Sequence, residues 1–128
     1  MVNGELGRKR RTSRDIEKRA LDFAVRVVRL AQVLETGHGV SSVIGKQVLR
    51  AGTSIGANLH EARGSQSRAD FISKCSIACK EAHETLYWLD LIVASNLMEE
   101  RQLAGLAQEC DELVAILTAI VKNSKGPA

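Results

Sequence analysis

The sequence predicts an all-α protein, an up-and-down antiparallel four-helix bundle in a single domain, and three observations carry that prediction. Apolar residues recur at steps of three and four through four successive segments. The turns between those segments are so short that consecutive helices must lie antiparallel and adjacent. The one proline, Pro127, falls beyond the last segment, where it neither removes a helical backbone donor nor clashes with a preceding turn. Aromatics make up only 3% of the chain, so the core must be built from Leu, Ile, Val and Ala, whereas sheets favour aromatic residues.

Residues 1–12 are polar and carry Gly4, Gly7 and the run Arg8, Lys9, Arg10, Arg11, which is expected to form a flexible basic arm. A first helix is expected over 13–35, with Ser13 as N-cap and Glu17 close by. Ile16, Ala20, Phe23, Val27, Leu30 and Leu34 form its inner stripe, widened by Ala24, Val28 and Ala31; Arg14, Lys18, Arg26 and Arg29 give the outer face a basic bias. Gly37 and Gly39 end it by supplying flexible or left-handed backbone.

A second helix over 41–63 turns Val43, Ile44, Val48, Ala51, Ile55, Leu59 and Ala62 inward. Gly45, Gly52 and Gly56 interrupt it at a cost of about 1 kcal/mol each relative to Ala, so they need a reason. Gly52 and Gly56 are one turn apart beside Ser54, Ala57 and Asn58, and this strip of little bulk is assigned to close helix packing rather than to a ligand.

The third helix, over 68–94, follows a turn in which Ser65 or Ser67 is placed to cap it. Its inner positions run from Phe71 through Cys75, Ala78, Ala82 and Leu89 to Ile92 and Val93. The fourth, over 99–122, opens on Glu99 and Glu100 and closes on Lys122, charges that suit its two dipole ends; Leu103, Leu106, Cys110, Leu113 and Leu117 face inward. Residues 124–128 are expected to fray.

The net charge of +3 conceals an asymmetry: residues 1–64 hold twelve basic and six acidic side chains, and residues 65–128 hold six basic and nine acidic. A basic excess at one end suits a surface that meets a polyanion, and equally a solubilising tail. No apolar stretch is long enough to span a bilayer, and no apolar segment follows the basic N-terminus as a secretory signal would require. Cys75, Cys79 and Cys110 are odd in number and fall within apolar helical patterns, as free thiols in a reducing cytoplasm would. Cys75 and Cys79 lie one turn apart on one helix, which makes poor disulfide geometry and only half a zinc site.

No catalytic constellation emerges. A di-iron bundle needs two Glu-x-x-His pairs, and only Glu35 and His38 have that spacing, across a helix end. There is no nucleophile elbow, phosphate loop or dinucleotide fingerprint. The expectation is a non-enzyme with no metal and no cofactor. More informative are the polar residues around the second turn, Arg50, Ser54, Asn58, Glu61, Arg68 and Asp70, expected to form a network fixing the register of the helix hairpin or a patch for a partner. Lys80, Glu81 and Glu84 read either as intrahelical ion pairs or as charges across a subunit boundary.

The segment from Leu49 to Leu91 carries the Ser54 to Asn58 run, Glu61, the Ser67 to Phe71 helix start, and Lys80, Glu81, Glu84, Thr85 and Trp88. Together they resemble the bacterial four-helix-bundle family of intervening-sequence proteins, encoded within insertions in large-subunit ribosomal RNA genes and in stand-alone genes. The likeness is strong over about a third of the chain. It implies a ring-like homopentamer. It also implies kinship with the accessory variability proteins of diversity-generating retroelements, basic pentamers that bind nucleic acid and a reverse transcriptase.

Two functions are therefore expected. In the first, the protein is a cytoplasmic nucleic-acid-binding accessory factor, contacting RNA or DNA phosphates through Arg8, Lys9, Arg10, Arg11, Arg14, Lys18, Arg19, Arg26 and Arg29. In the second, it is a scaffold without a nucleic-acid partner, in which the basic first helix of one subunit meets the acidic fourth helix of the next.

Overall fold

The computed structural model describes residues 2–125, with side chains described from Asp15 onward. It contains four α-helices, α1 (Val2–Thr36), α2 (Val40–Arg63), α3 (Arg68–Ala94) and α4 (Glu100–Lys125), and no strand among the described residues. Each helix packs on the next, and α1 also meets α4, so the four close into an antiparallel bundle.

α1 begins at Val2, not at Ser13, so the segment expected as a flexible arm continues the helix. The physical reason is visible in the residues. No proline precedes Ser13, so nothing forces a break, and Gly4 and Gly7 weaken a helix by only about 1 kcal/mol each without ending it. The turn to α2 is real: Gly39 adopts φ 71°, a left-handed value that suits glycine. Ser41 then donates to the Leu34 carbonyl at 2.6 Å, satisfying an acceptor the helix end leaves open.

α3 is capped by Ser67, whose extended backbone lets its hydroxyl accept the Asp70 amide at 3.0 Å. It stops where Asn96 turns left-handed, with φ 62°. Ser95 and Asn96 return their amides to Leu91 and Val93.

Phe23, Val27, Val48, Ile55, Leu89, Ile92, Leu113 and Leu117 are buried at the centre. α3 brings small residues there, Cys75, Ala78, Ala82 and Thr85, and Thr85 satisfies its hydroxyl on the Glu81 carbonyl at 2.7 Å. The Cys110 thiol, also fully buried, donates to the Ala82 carbonyl at 3.3 Å, and burial together with nearby acids pushes it up to about 12. Val28 and Val43, expected on inner faces, are instead exposed. A helix presents only a limited arc to its neighbours, and both residues lie at its margin.

The glycines of α2 face α1. A Cβ on Gly52 would stand 2.7 and 2.8 Å from the two γ carbons of Val27, whereas one on Gly56 would sit 3.6 Å from Ala20. At Gly52 the side chain of Val27 fills the space a Cβ would take, whereas Gly56, against the Ala20 backbone, leaves room for a methyl group.

Candidate functional site

The basic residues expected to contact phosphate divide into three groups. Arg8, Lys9, Arg10, Arg11 and Arg14 have side chains outside the described residues. Lys18, Arg26 and Arg29 are exposed on α1. Lys18 pairs with Asp22 one turn on, at 3.4 Å, while Arg26 and Arg29 have no ion-pair partner among the described residues. Arg19 differs from both groups. Its guanidinium grips Glu109 through two hydrogen bonds, at 3.1 and 2.6 Å, and reaches Glu112 at 3.3 Å. That fork, led by the hydrogen bond to Glu109, holds its pKa above the ordinary value while partial burial opposes the shift. Arg19 is therefore a clamp between α1 and α4, and Glu109 and Glu112 are occupied within the chain.

On a helical projection the outer surface of α1 has two stripes. Asp22, Arg26 and Arg29 lie on the side nearer α4, and Lys18 stands between the stripes at the edge of the α2 groove. Leu21, Val25 and Val28, at steps of four and three, lie on the other side, where they stand exposed. Leu21 and Ala24 form one wall of a groove over α2, whose opposite wall is Thr53, Gly56 and Ala57.

The polar residues of the α2–α3 hairpin do not form one network. Arg50 spans the hairpin, bonding Glu81 at 3.3 Å and also Glu84. Glu84 in turn accepts the Trp88 indole at 3.2 Å, and Trp88 meets Tyr87 edge to face, with ring centroids 5.2 Å apart. Ser54 and Asn58 bond along their own helix, to the carbonyls of Arg50 and Ser54. Glu61 faces Lys74 at 3.5 Å. Arg68 reaches the other end of the sequence and donates to the Ser124 carbonyl, closing the C-terminal turn of α4. Asp70 has no ion-pair partner among the described residues, and its backbone amide donates to Ser67 in the cap of α3.

Two features of these clusters escape the sequence reading. One is Glu17, which links α1 to α2 by contacts to His60 at 3.0 Å and Arg63 at 3.6 Å. The other is the role of Glu81 and Glu84 as partners of Arg50. Their spacing from each other announces one helix face, but nothing local announces an arginine thirty-one and thirty-four residues away.

Among the described residues no three His, Cys, Asp or Glu gather as a metal site, and no helix is long and apolar enough to cross a membrane. Cys75 and Cys110 are buried and Cys79 is half-buried, all three as free thiols.

The fold and these surfaces define a class of protein, an all-α antiparallel bundle whose clusters are spent on joining helices. Within that class the chain belongs to the family described as 23S rRNA-intervening sequence protein, whose model matches residues 12–119. A crystal structure from Bacteroides thetaiotaomicron VPI-5482, a protein of unknown function from the S23 ribosomal protein family, is similar to it with a TM-score of 0.80 and 41% identity. That likeness covers 88% of this chain and 99% of the other. No curated protein matches.

Proposed function

We propose that the protein is a non-catalytic, homo-oligomeric accessory factor of the cytoplasm that binds nucleic acid through the phosphate backbone. The observation that carries the reading is the pair Arg26 and Arg29, exposed on a helix whose sequence continues into Arg8–Arg14 and without carboxylate partners among the described residues. Cations left without partners along one helix suit a polyanion better than they suit a fold, because exposed charges add little stability. Family membership supports the same reading, and so does its implied ring of five subunits, which would repeat the basic stripe about one axis and let weak contacts act together. A reverse transcriptase is the partner the family resemblance suggests. Leu21, Val25 and Val28 supply an apolar stripe that a neighbouring subunit would cover.

The scaffold reading loses part of its basis. It required the acidic residues of α4 to await a basic helix from another subunit, and Glu109 and Glu112 already hold Arg19 of their own chain.

Electrophoretic mobility shift with structured RNA and duplex DNA tests the proposal. Binding is expected to be insensitive to sequence and to weaken by about a hundredfold or more between roughly 50 and 200 mM salt if several phosphates are contacted. The variant Arg26→Glu/Arg29→Glu should weaken it further at every salt concentration. No binding at low salt, or binding indifferent to that variant, would refute the proposal. Light scattering on Leu21→Glu/Val25→Glu, compared with the parent, tests the subunit contact.

A further inference from the structure

A second concentration of positive charge lies in the acidic half of the sequence, on the far side of the bundle from the α1–α2 groove. Ser76, Cys79, Lys80 and His83 of α3 and Thr118, Val121, Lys122 and Lys125 of α4 line one groove of about 700 Å³. On each helix these residues recur at steps of three and four, so each set is a single face, and the two faces meet where Cys79 touches Thr118, sulfur to oxygen 3.4 Å. None of Lys80, His83, Lys122 and Lys125 has an ion-pair partner among the described residues, and no carboxylate lines the groove. Glu81 and Glu84, the acids next to Lys80 and His83 in sequence, are turned away to Arg50 on α2.

The α4 dipole accounts for Lys122 and Lys125, which sit in its last turn. It does not account for Lys80 and His83, which lie in the middle of α3, far from either helix end. The floor between the three lysines is apolar, made by Cys79, Val121 and the aliphatic stems of the lysines. A cationic rim over an apolar floor of this size matches a ligand with an anionic head and a flat, weakly polar body.

We propose that the α3–α4 groove binds a nucleotide, its phosphate held by Lys80, Lys122 and Lys125 with His83 as a further hydrogen-bond donor, and its base laid on the floor at Cys79 and Val121. The site is separate from the α1 stripe and does not depend on it. The nucleotide could be free or a unit of a nucleic-acid chain; both present the same chemistry.

Cys79 supplies the assay. It is the only one of the three cysteines that is not buried, so a neutral alkylating reagent applied to the folded protein should modify it selectively. Adenosine monophosphate, inorganic phosphate and a short single-stranded oligonucleotide are each titrated against the alkylation rate. The proposal expects adenosine monophosphate to protect Cys79 and inorganic phosphate to protect it at least tenfold less well. Lys80→Gln/Lys122→Gln should raise the concentration needed by roughly tenfold or more, the scale of losing charged hydrogen bonds, with an unchanged dichroism spectrum showing that the fold is kept. Protection by the oligonucleotide at far lower concentration than by the mononucleotide assigns the site to a nucleic-acid chain; the reverse assigns it to a free nucleotide. Absence of protection by all three probes overturns the proposal. So does protection undiminished in the double variant, or inorganic phosphate protecting as well as the nucleotide. Because Arg26→Glu/Arg29→Glu leaves this groove intact, loss of binding in the mobility-shift assay and loss of Cys79 protection are separable results.

Discussion

Replacing either helical glycine of α2 by alanine puts the same methyl group on the same helix, yet the two changes should move stability in opposite directions. Alanine is the better helix former by about 1 kcal/mol, and this gain applies at both positions. At Gly52 the new Cβ would meet the γ carbons of Val27 at 2.7 and 2.8 Å. Val27 has no exposed surface, and a β-branched side chain in a helix has essentially one rotamer, so it cannot swing aside. The helices must separate, and overpacking of this kind costs about 1–3 kcal/mol. With the larger clash assigned to so short a contact, Gly52→Ala should lose about 1–2 kcal/mol net, a fall of roughly 3–6 °C in melting temperature for a chain of this size. At Gly56 the nearest atoms of Ala20 stand at 3.6 Å, an ordinary contact, so Gly56→Ala should gain about 0.5–1 kcal/mol. Urea unfolding at one fixed protein concentration measures both. Val27→Ala in the Gly52→Ala background should cost less than it does alone, giving a coupling of about 1 kcal/mol. A Gly52→Ala protein as stable as the parent, or two alanine variants that shift alike, would refute the close-approach argument.

Three further outcomes are expected. Arg50→Ala removes the cation that Glu81 and Glu84 share, so it should destabilise by about 0.5–1 kcal/mol, as a half-exposed ion pair does, and alter Trp88 emission, whereas Glu84→Gln should cost less. Arg19→Ala should cost about 0.5–1.5 kcal/mol by thermal unfolding, a deficit that shrinks as salt rises because the clamp is partly solvent-exposed. Cys110 binds its proton more tightly folded than unfolded, so its contribution is fully present below the unfolded pKa of 9.0 and declines as pH rises toward about 12. Between about pH 8 and 10 the parent should therefore lose about 1 kcal/mol more than Cys110→Ala does, measured by urea unfolding.

The fold class was legible because core burial and helical period coincide along most of the chain: Phe23, Val27, Leu30 and Leu34 repeat at the right steps and are all buried. The start of α1 was not. Gly4, Gly7 and a run of arginines look like an arm, and only the absence of a hard stop before Ser13 argues otherwise. Charges were the least legible. Arg19 carries the same local signature as Arg26, and what separates them is Glu109, ninety residues on. Arg68 stands beside Asp70 in sequence but bonds Ser124. The α3–α4 groove is the extreme case: Lys80 reads locally as a partner for Glu81 or Glu84, and only antiparallel pairing brings it alongside Thr118 and Lys122. Periodicity reports which way a residue faces, and it carries no information about which distant residue faces it in return.

The perimeter of the bundle is uneven. Three seams join helices adjacent in sequence over much of their length, while α1 and α4 meet more sparsely, with Arg19 gripping Glu109 and Glu112 and with Arg26 lying against Gly105. A cylinder stitched along three edges and pinned at the fourth should open first along that fourth edge. Amide protons flanking that seam should exchange soonest, and ionic strength, by loosening the guanidinium fork, should set how wide the door stands.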